Sequence, residues 1–327
     1  MATDNYQDDN FSDPGYGGSI SDTTTLESAA LNYPFEYGRR YHAYMAEKRY
    51  GLPNDIAQQD RLLRHHDLIK TRLGGKLILA PIQQHPQRIL DLGTGIGLWA
   101  IEMADKYPSA EVTGLDLSPS ELGENFHNEF DPTNVRYIID DFEKEWVDTN
   151  LDLVFGRFLA GSVEDWPRLI QQSYNNLKPG GWAEFEDWDT MLYSTSLPRE
   201  DFEKSELWTF HRDTIALQES RGRNMRPGPE LEKWFRQAGF QNIRAEKFSL
   251  PLGPWIQEDK LERKIGYKNL LQMLEDISGL GMTLVWGGKA SRDQVELRLV
   301  DVRKDMCNCA HFKAQYDYYV VYGQKPL

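Results

Sequence analysis

Between Arg88 and Ala100 the chain reads RILDLGTGIGLWA: an apolar run ending in a carboxylate, three glycines at alternate positions, and a second apolar run. Glycines this close together interrupt helix or strand, and glycine alone enters the positive-φ turns that L side chains avoid. The stretch predicts a strand, a turn whose backbone something approaches closely, and a helix opening from that turn. Such a turn is where doubly wound α/β folds bind nucleotides, because strand end, turn and helix N-terminus together present backbone N–H groups.

The rest of the pattern agrees. Short apolar runs at 88–92, 111–115, 135–139 and 152–155 alternate with turns or helical patterns, which predicts a parallel sheet with helices on both faces. A helix over Leu98 to Tyr107 stops at Pro108, another opens with Asp165 as N-cap and Pro167 in its first turn, and a fifth strand spans Trp182 to Glu186. Upstream, Pro53 in a first turn and Gly74 as a stop bracket a helix with Leu62, His66, Ile69 and Leu73 on one face, which reads His66 as a core histidine. Downstream come a helix around Phe202 to Ser220, the helix of ELEKWFRQAGF, the strand IRAEKF, helices over 258–280 and 291–309, and a closing strand DYYVVYG. The expected architecture is a doubly wound, mostly parallel, seven-stranded α/β sheet.

Composition narrows the function. The net charge of −14, from 51 acidic and 37 basic residues with no dense basic block, argues against direct nucleic-acid binding. Two cysteines exclude a disulfide framework, and Cys307, Cys309 and His311 lack the fourth ligand of a zinc site, so no metal is expected. With no apolar run of the roughly 18 residues a membrane span needs and no signal core, the chain is expected to be intracellular, cytoplasmic or nuclear, without membrane insertion. Residues 1–28 carry no Lys or Arg and are dominated by Asp, Gly, Ser and Thr, which predicts a disordered acidic tail.

The glycine motif discriminates between ligands. A dinucleotide fingerprint places its third glycine at position 98, where Leu98 stands, and no Lys-Ser/Thr pair completes a phosphate-binding loop. Asp91 would repel a pyrophosphate and attract an ammonium group. S-adenosylmethionine has that ammonium, a cationic sulfonium, a ribose and an adenine. Asp116 ends the second strand, where a carboxylate can take ribose hydroxyls, and Asp140, Asp141 and Phe142 end the third, where adenine would lie.

Together, ILDLGTGIGLWAIEMADKYPSAEVTGLDLSP, NVRYIIDDFE, DLVFGRFLAGSVEDWPRLI and LKPGGWAEFED resemble the successive motifs of class I S-adenosylmethionine-dependent methyltransferases. More narrowly, GRRYHAY, LPNDIAQQDRLLRHH, GGKLILAPI and YYVVYGQKP resemble the fungal LaeA-like methyltransferases of velvet-complex regulation and secondary metabolism. The short polar stretch between Asp116 and Val135, where many class I enzymes place a helix, is shared with that group.

The resemblance implies one methyltransferase domain over 29–327, with an N-terminal lid over 33–82 and a helical substrate-side insertion over 188–230. It implies that Asp91, Gly93, Thr94, Gly95 and Gly97 line the methionine portion of the cofactor, Asp116 and Leu117 the ribose, and Asp141 with Phe142 the adenine. Arg157 would stand near the emerging methyl group, and Arg39, Arg40 and Tyr41 of the lid near the methionine carboxylate or the acceptor.

Methyl transfer from a sulfonium is an in-line displacement with an activated leaving group, so positioning suffices and no catalytic residue is assigned. Glu186, Asp187, His66 and His211 are the candidates if a base is needed. Glu186, Trp188, His211 and Trp255 are the candidate acceptor-binding residues, Trp188 because it follows a strand end at the active edge. The acceptor is expected to be a protein side chain or a small molecule. An alternative is a regulatory subunit, bound to a velvet-type or zinc-finger protein, whose own chemistry is weak.

Overall fold

The computed structural model describes residues 32–42, 53–118, 132–275 and 277–327. The expected acidic tail lies outside these residues, as do Ala43 and Tyr44 of the lid string and most of the polar stretch after Asp116.

A short antiparallel pair, β1 (Phe35–Glu36) and β2 (Arg39–Arg40), precedes helix α1 (Ile56–Arg72). That helix begins later than Pro53, because Asp55 is its N-cap and accepts the Gln58 N–H at 3.2 Å. Gly74, at φ +65°, follows its last turn as expected. The alternating runs then become β3 (Arg88–Leu92), α2 (Leu98–Lys106), β4 (Glu111–Asp116), β5 (Val135–Ile139) and β6 (Leu151–Arg157). Next come α3 (Trp166–Asn176), capped by Asp165, and β7 (Leu177–Ser194).

Seven strands form one sheet in the order β5-β4-β3-β6-β7-β9-β8. β5 through β7 run parallel, and β9 (Ala314–Gln324) is antiparallel between β7 and β8 (Gln241–Pro251). Ile89, Leu90 and Leu92 of β3 are at most 1% exposed, the two-sided burial of a central parallel strand. Period-two alternation splits them: Ile89 packs with Trp99 and Met103 of α2, while Leu90 and Leu92 join the cluster of Trp166 and Ile170 from α3. Helix α6 (Gly228–Ala238) adds Leu231, Trp234 and Phe235 to that second layer.

The third core departs from expectation. Segment 188–230 supplies the end of β7, α4 (Arg199–Phe202) and α5 (Glu206–Glu219), but the helices packed with them arise between β8 and β9. The single helix expected over 258–280 is divided into α7 (Lys260–Glu275) and α8 (Ile277–Trp286). Helix α9 (Arg292–Cys307) opens with the expected capping box of Ser291 and Gln294, and α10 (Cys309–Phe312) leads into β9. Phe210, Leu284 and Leu299 pack these helices on Tyr316, Tyr318 and Val320 of β9. The fifth strand is longer than expected because β9 pairs with β7 from Trp182 to Ser194. No described helix is long and apolar enough to cross a membrane.

Candidate active site

The strand order reverses between β3 and β6, and in a doubly wound sheet the carboxyl ends of such strands frame a crevice. The glycine turn sits at its mouth. Gly93, Gly95 and Gly97 have φ of 64°, 57° and 77°, the left-handed region that explains why all three positions lack side chains. The Gly93 and Thr94 N–H groups donate to the Leu115 carbonyl at 2.8 and 3.1 Å, tying the turn to β4. Gly97 is the N-cap of α2.

A Cβ added at Gly93 would lie 2.6 Å from Leu159 Cδ2. Gly93→Ala is therefore expected to lower stability by about 1–2 kcal/mol from its backbone alone. It should also weaken cofactor binding at least tenfold, read by thermal melting and calorimetry.

A cleft of about 270 Å³ opens over this turn. Tyr41, Asp91, Gly93, Thr94, Gly95, Asp116, Leu117, Asp141, Phe142 and Arg157 all line it. Gly97 and Asp140 do not. Gly97 lies behind the turn as a cap, and Asp140 accepts the Asp141 N–H at 2.8 Å. The three strand tips therefore do bring Asp91, Asp116 and Asp141 to one rim.

Asp91 is 3% exposed and accepts the Thr94 hydroxyl at 2.7 Å. Burial pushes its carboxyl up to about 7, against the lowering pull of Thr94 and the Arg157 guanidinium. Asp116 accepts N–H groups from Gly95 at 2.8 Å and Ser118 at 3.2 Å, so the ribose candidate also braces the glycine turn. Arg39 ion-pairs with Asp55, and Arg40 donates to Asn54 Oδ1 at 3.1 Å. These two arginines fasten the β1–β2 pair to the start of α1. Tyr41 remains in the cleft wall, its N–H held by the Pro34 carbonyl.

His66 is buried, as its reading as a core histidine expects, and it also lines the cleft. Arg157 Nη2 lies 2.9 Å from its Nδ1, and an arginine can only donate, so Nδ1 accepts and the proton sits on Nε2. That Nε2 is 3.3 Å from Glu102. Burial, with Arg157 beside it, pulls the imidazole down to about 4, leaving it neutral with its one acceptor nitrogen, Nδ1, taken by Arg157.

None of the four expected acceptor-binding residues is among those lining the cleft. Glu186 is fully buried, accepts the Tyr318 hydroxyl at 2.7 Å, and stands 3.9 Å from Arg157. Burial raises both it and Glu184, whose oxygens take the Leu79 and Ala80 N–H groups. Trp188 packs between His65, Phe158 and Tyr316, in the layer behind the cleft wall. His211 donates from Nε2 to the Thr190 carbonyl, and Trp255 donates to the Ala314 carbonyl at 3.2 Å. Glu186 and Trp188 lie where β7 continues beside β9, His211 on α5 and Trp255 in the loop after β8, and none of the four reaches the lining.

The structure adds residues that the motifs did not single out: Gln58 and Leu62 of α1, Phe158 after β6, and Trp286 at the end of α8. Phe158 is held at φ 57°, a strained value for a bulky residue. The family string LPNDIAQQDRLLRHH carried a signal for the first two. Nothing local marks Trp286.

This turn, this rim of carboxylates and this strand order define a methyltransferase of the doubly wound class. The chain belongs to that family: the model of the methyltransferase domain matches residues 63–245. It is similar to methyltransferase pytC of Aspergillus terreus, 37% identical over 313 residues that make up 94% of this chain and 92% of that protein. It is similar to the secondary metabolism regulator laeA of Aspergillus fumisynnematus, 33% identical over 305 residues, 89% of this chain and 77% of that one. It is also similar to the protein-methionine methyltransferase laeA of Emericella nidulans, 35% identical over 274 residues, 81% of this chain and 69% of that one. The chain is a LaeA-like, S-adenosylmethionine-dependent methyltransferase.

Proposed function

We propose that the cleft methylates an acceptor atom that has no proton to surrender, such as the sulfur of a thioether, within secondary metabolism. The observation that carries this reading is His66: the Nδ1 of the imidazole accepts from Arg157 and its Nε2 carries the ring proton, so neither nitrogen offers a free lone pair. The other imidazole lining the cleft, His42, has its Nδ1 on Ser118 Oγ at 2.5 Å, beside the tip of β4 and its ribose candidate. Glu186, Asp187 and His211, the other candidate bases, are not among the residues lining the cleft. An acceptor that must be deprotonated would find no partner in Glu186, Asp187, His66 or His211. One laeA relative is a protein-methionine methyltransferase, and a methionine thioether is an acceptor of the kind proposed.

The residues present fit the cofactor. Asp91 is a buried carboxylate whose cost of burial a cationic partner offsets, and the bare backbone at Gly93 and Gly95 leaves room for a ligand against it. Asp91 and the glycine turn would hold the amino-acid end, with Tyr41 and Arg157 nearby. Asp116 and Leu117 would hold the ribose, and Asp141 and Phe142 the adenine. When bound, the cofactor supplies a methyl group already activated by its sulfonium. The protein's part is to hold the acceptor in line and to exclude water, which the apolar walls Leu62, Phe158 and Leu159 provide. The retained cleft supports catalysis over a purely assembling subunit.

The test offers the protein N-acetylmethionine methylamide, a phenol and a primary amine, with S-adenosylhomocysteine release as readout. Turnover of the thioether is expected, with no imidazole-like limb in its pH–rate profile. Turnover confined to the phenol or amine, with a limb that disappears in His66→Gln, would overturn the reading.

A further inference from the structure

Every cofactor candidate from Asp91 onward comes from a strand tip or the turn behind it, but one wall of the cleft comes from elsewhere. Trp286 closes α8, a helix packed in the third core with α5 and α9, and it lines the cleft. Its ring meets the Tyr41 ring edge-on, with centroids 4.3 Å apart. Its direction is set by a tight approach: a Cβ on the next residue, Gly287, would lie 2.6 Å from Leu217 of α5. The indole Nε1 is buried and has no hydrogen-bond partner among the described residues. A buried N–H left unpaired costs about 1–3 kcal/mol, so on a residue that lines the cleft it is a donor that a ligand oxygen satisfies once the packing beside the indole gives way to it.

We propose that Trp286 recognises the methyl acceptor, its indole N–H donating to a carbonyl oxygen that the acceptor carries near its nucleophile. The assignment deepens the catalytic reading above and rests on it for the identity of the cleft. It falls on the acceptor because the ammonium, ribose and adenine candidates are all supplied by other elements. An indole N–H can only donate, which selects an oxygen and not an amine. A peptide carbonyl and an ester or keto carbonyl share this chemistry, and the experiment separates them.

The indole N–H signals of the nine tryptophans are recorded by proton–nitrogen correlation, with Trp286 assigned by its loss in Trp286→Phe. The protein is titrated with S-adenosylhomocysteine, then with three thioethers: N-acetylmethionine methylamide, methyl methylthiopropanoate, and ethyl propyl sulfide, which has no carbonyl. The Trp286 signal is expected to move downfield with one or both carbonyl probes. It should not do so with S-adenosylhomocysteine alone or with the sulfide. A shift with the amide alone identifies a peptide source, and one with the ester alone a metabolite. In turnover, Trp286→Phe should raise KM for the effective carbonyl probe about tenfold and leave the cofactor dissociation constant unchanged. A signal that moves with S-adenosylhomocysteine alone, moves equally with the sulfide, or never moves overturns the assignment. Should the wild-type protein bind these probes but methylate none, the thioether reading fails while the indole shift still decides the role of Trp286.

Discussion

Asp91→Asn is expected to make the cofactor-free protein more stable at pH 8 while weakening cofactor binding by about a hundredfold or more. The carboxyl is raised from 3.8 to about 7, chiefly by burial. An acid whose pKa is raised on folding holds its proton longer in the folded state. Stability therefore falls as pH rises from near 4, and the full penalty is present above about 7. At 1.36 kcal/mol per unit, that penalty is about 4 kcal/mol. Asparagine removes it and keeps its partner, because the Thr94 hydroxyl now donating at 2.7 Å can donate to an amide oxygen or turn to accept from an amide nitrogen. Melting curves should separate the two proteins by several degrees at pH 8 and converge near pH 4. The same shift predicts that wild-type affinity for the cofactor strengthens as pH rises through 7, since only the carboxylate attracts an ammonium. A variant that melts no higher at pH 8, or that binds the cofactor as well as the parent, would remove Asp91 from the cradle.

The rim was legible because its chemistry is local. A strand, a glycine turn and a helix announce themselves within thirteen residues, and Asp116 and Asp141 stand at the ends of runs whose period gives them away. The acceptor side was not legible, for reasons of register and distance. Glu186, Asp187 and Trp188 read as a strand end because the apolar run stops there, but β7 continues to Ser194 by pairing with β9, whose sequence lies more than a hundred residues downstream. What looked like a tip is strand interior, and the alternating Glu184 and Glu186 are buried against Leu79, Ala80 and Tyr318. Trp286 was missed for the converse reason. It stands in a helix of mean apolar character, and only the packing of α8 on α5 and α9 carries it to the cleft.

Asp187 supplies the second large effect and a contrast with Asp91. Its burial is as complete and its carboxyl is likewise pushed up to about 7, but its partners cannot turn. One oxygen accepts the N–H groups of Leu159 at 2.8 Å and Ala160 at 2.9 Å, and the other accepts that of Trp188 at 2.9 Å. These bonds, with the Phe158 N–H on the Glu186 carbonyl at 3.0 Å, hold Phe158 in its left-handed conformation on the cleft wall. Strain of that kind persists only while its surroundings enforce it. Asp187→Leu strands three N–H groups at about 2 kcal/mol each, and relief of the buried charge at pH 8 returns at most about 4. A net loss of about 2 kcal/mol is expected, growing as pH falls toward 5, where there is less charge to relieve. The catalytic loss should be larger than this suggests. Once the loop from Arg157 to Ala160 relaxes, an ångström of displacement in the wall that aligns the acceptor costs about a hundredfold in kcat. Melting at pH 5 and pH 8 together with steady-state rates reads both. A variant that keeps the parental kcat would show that Phe158 holds its place without the carboxylate and that the wall does not orient the acceptor.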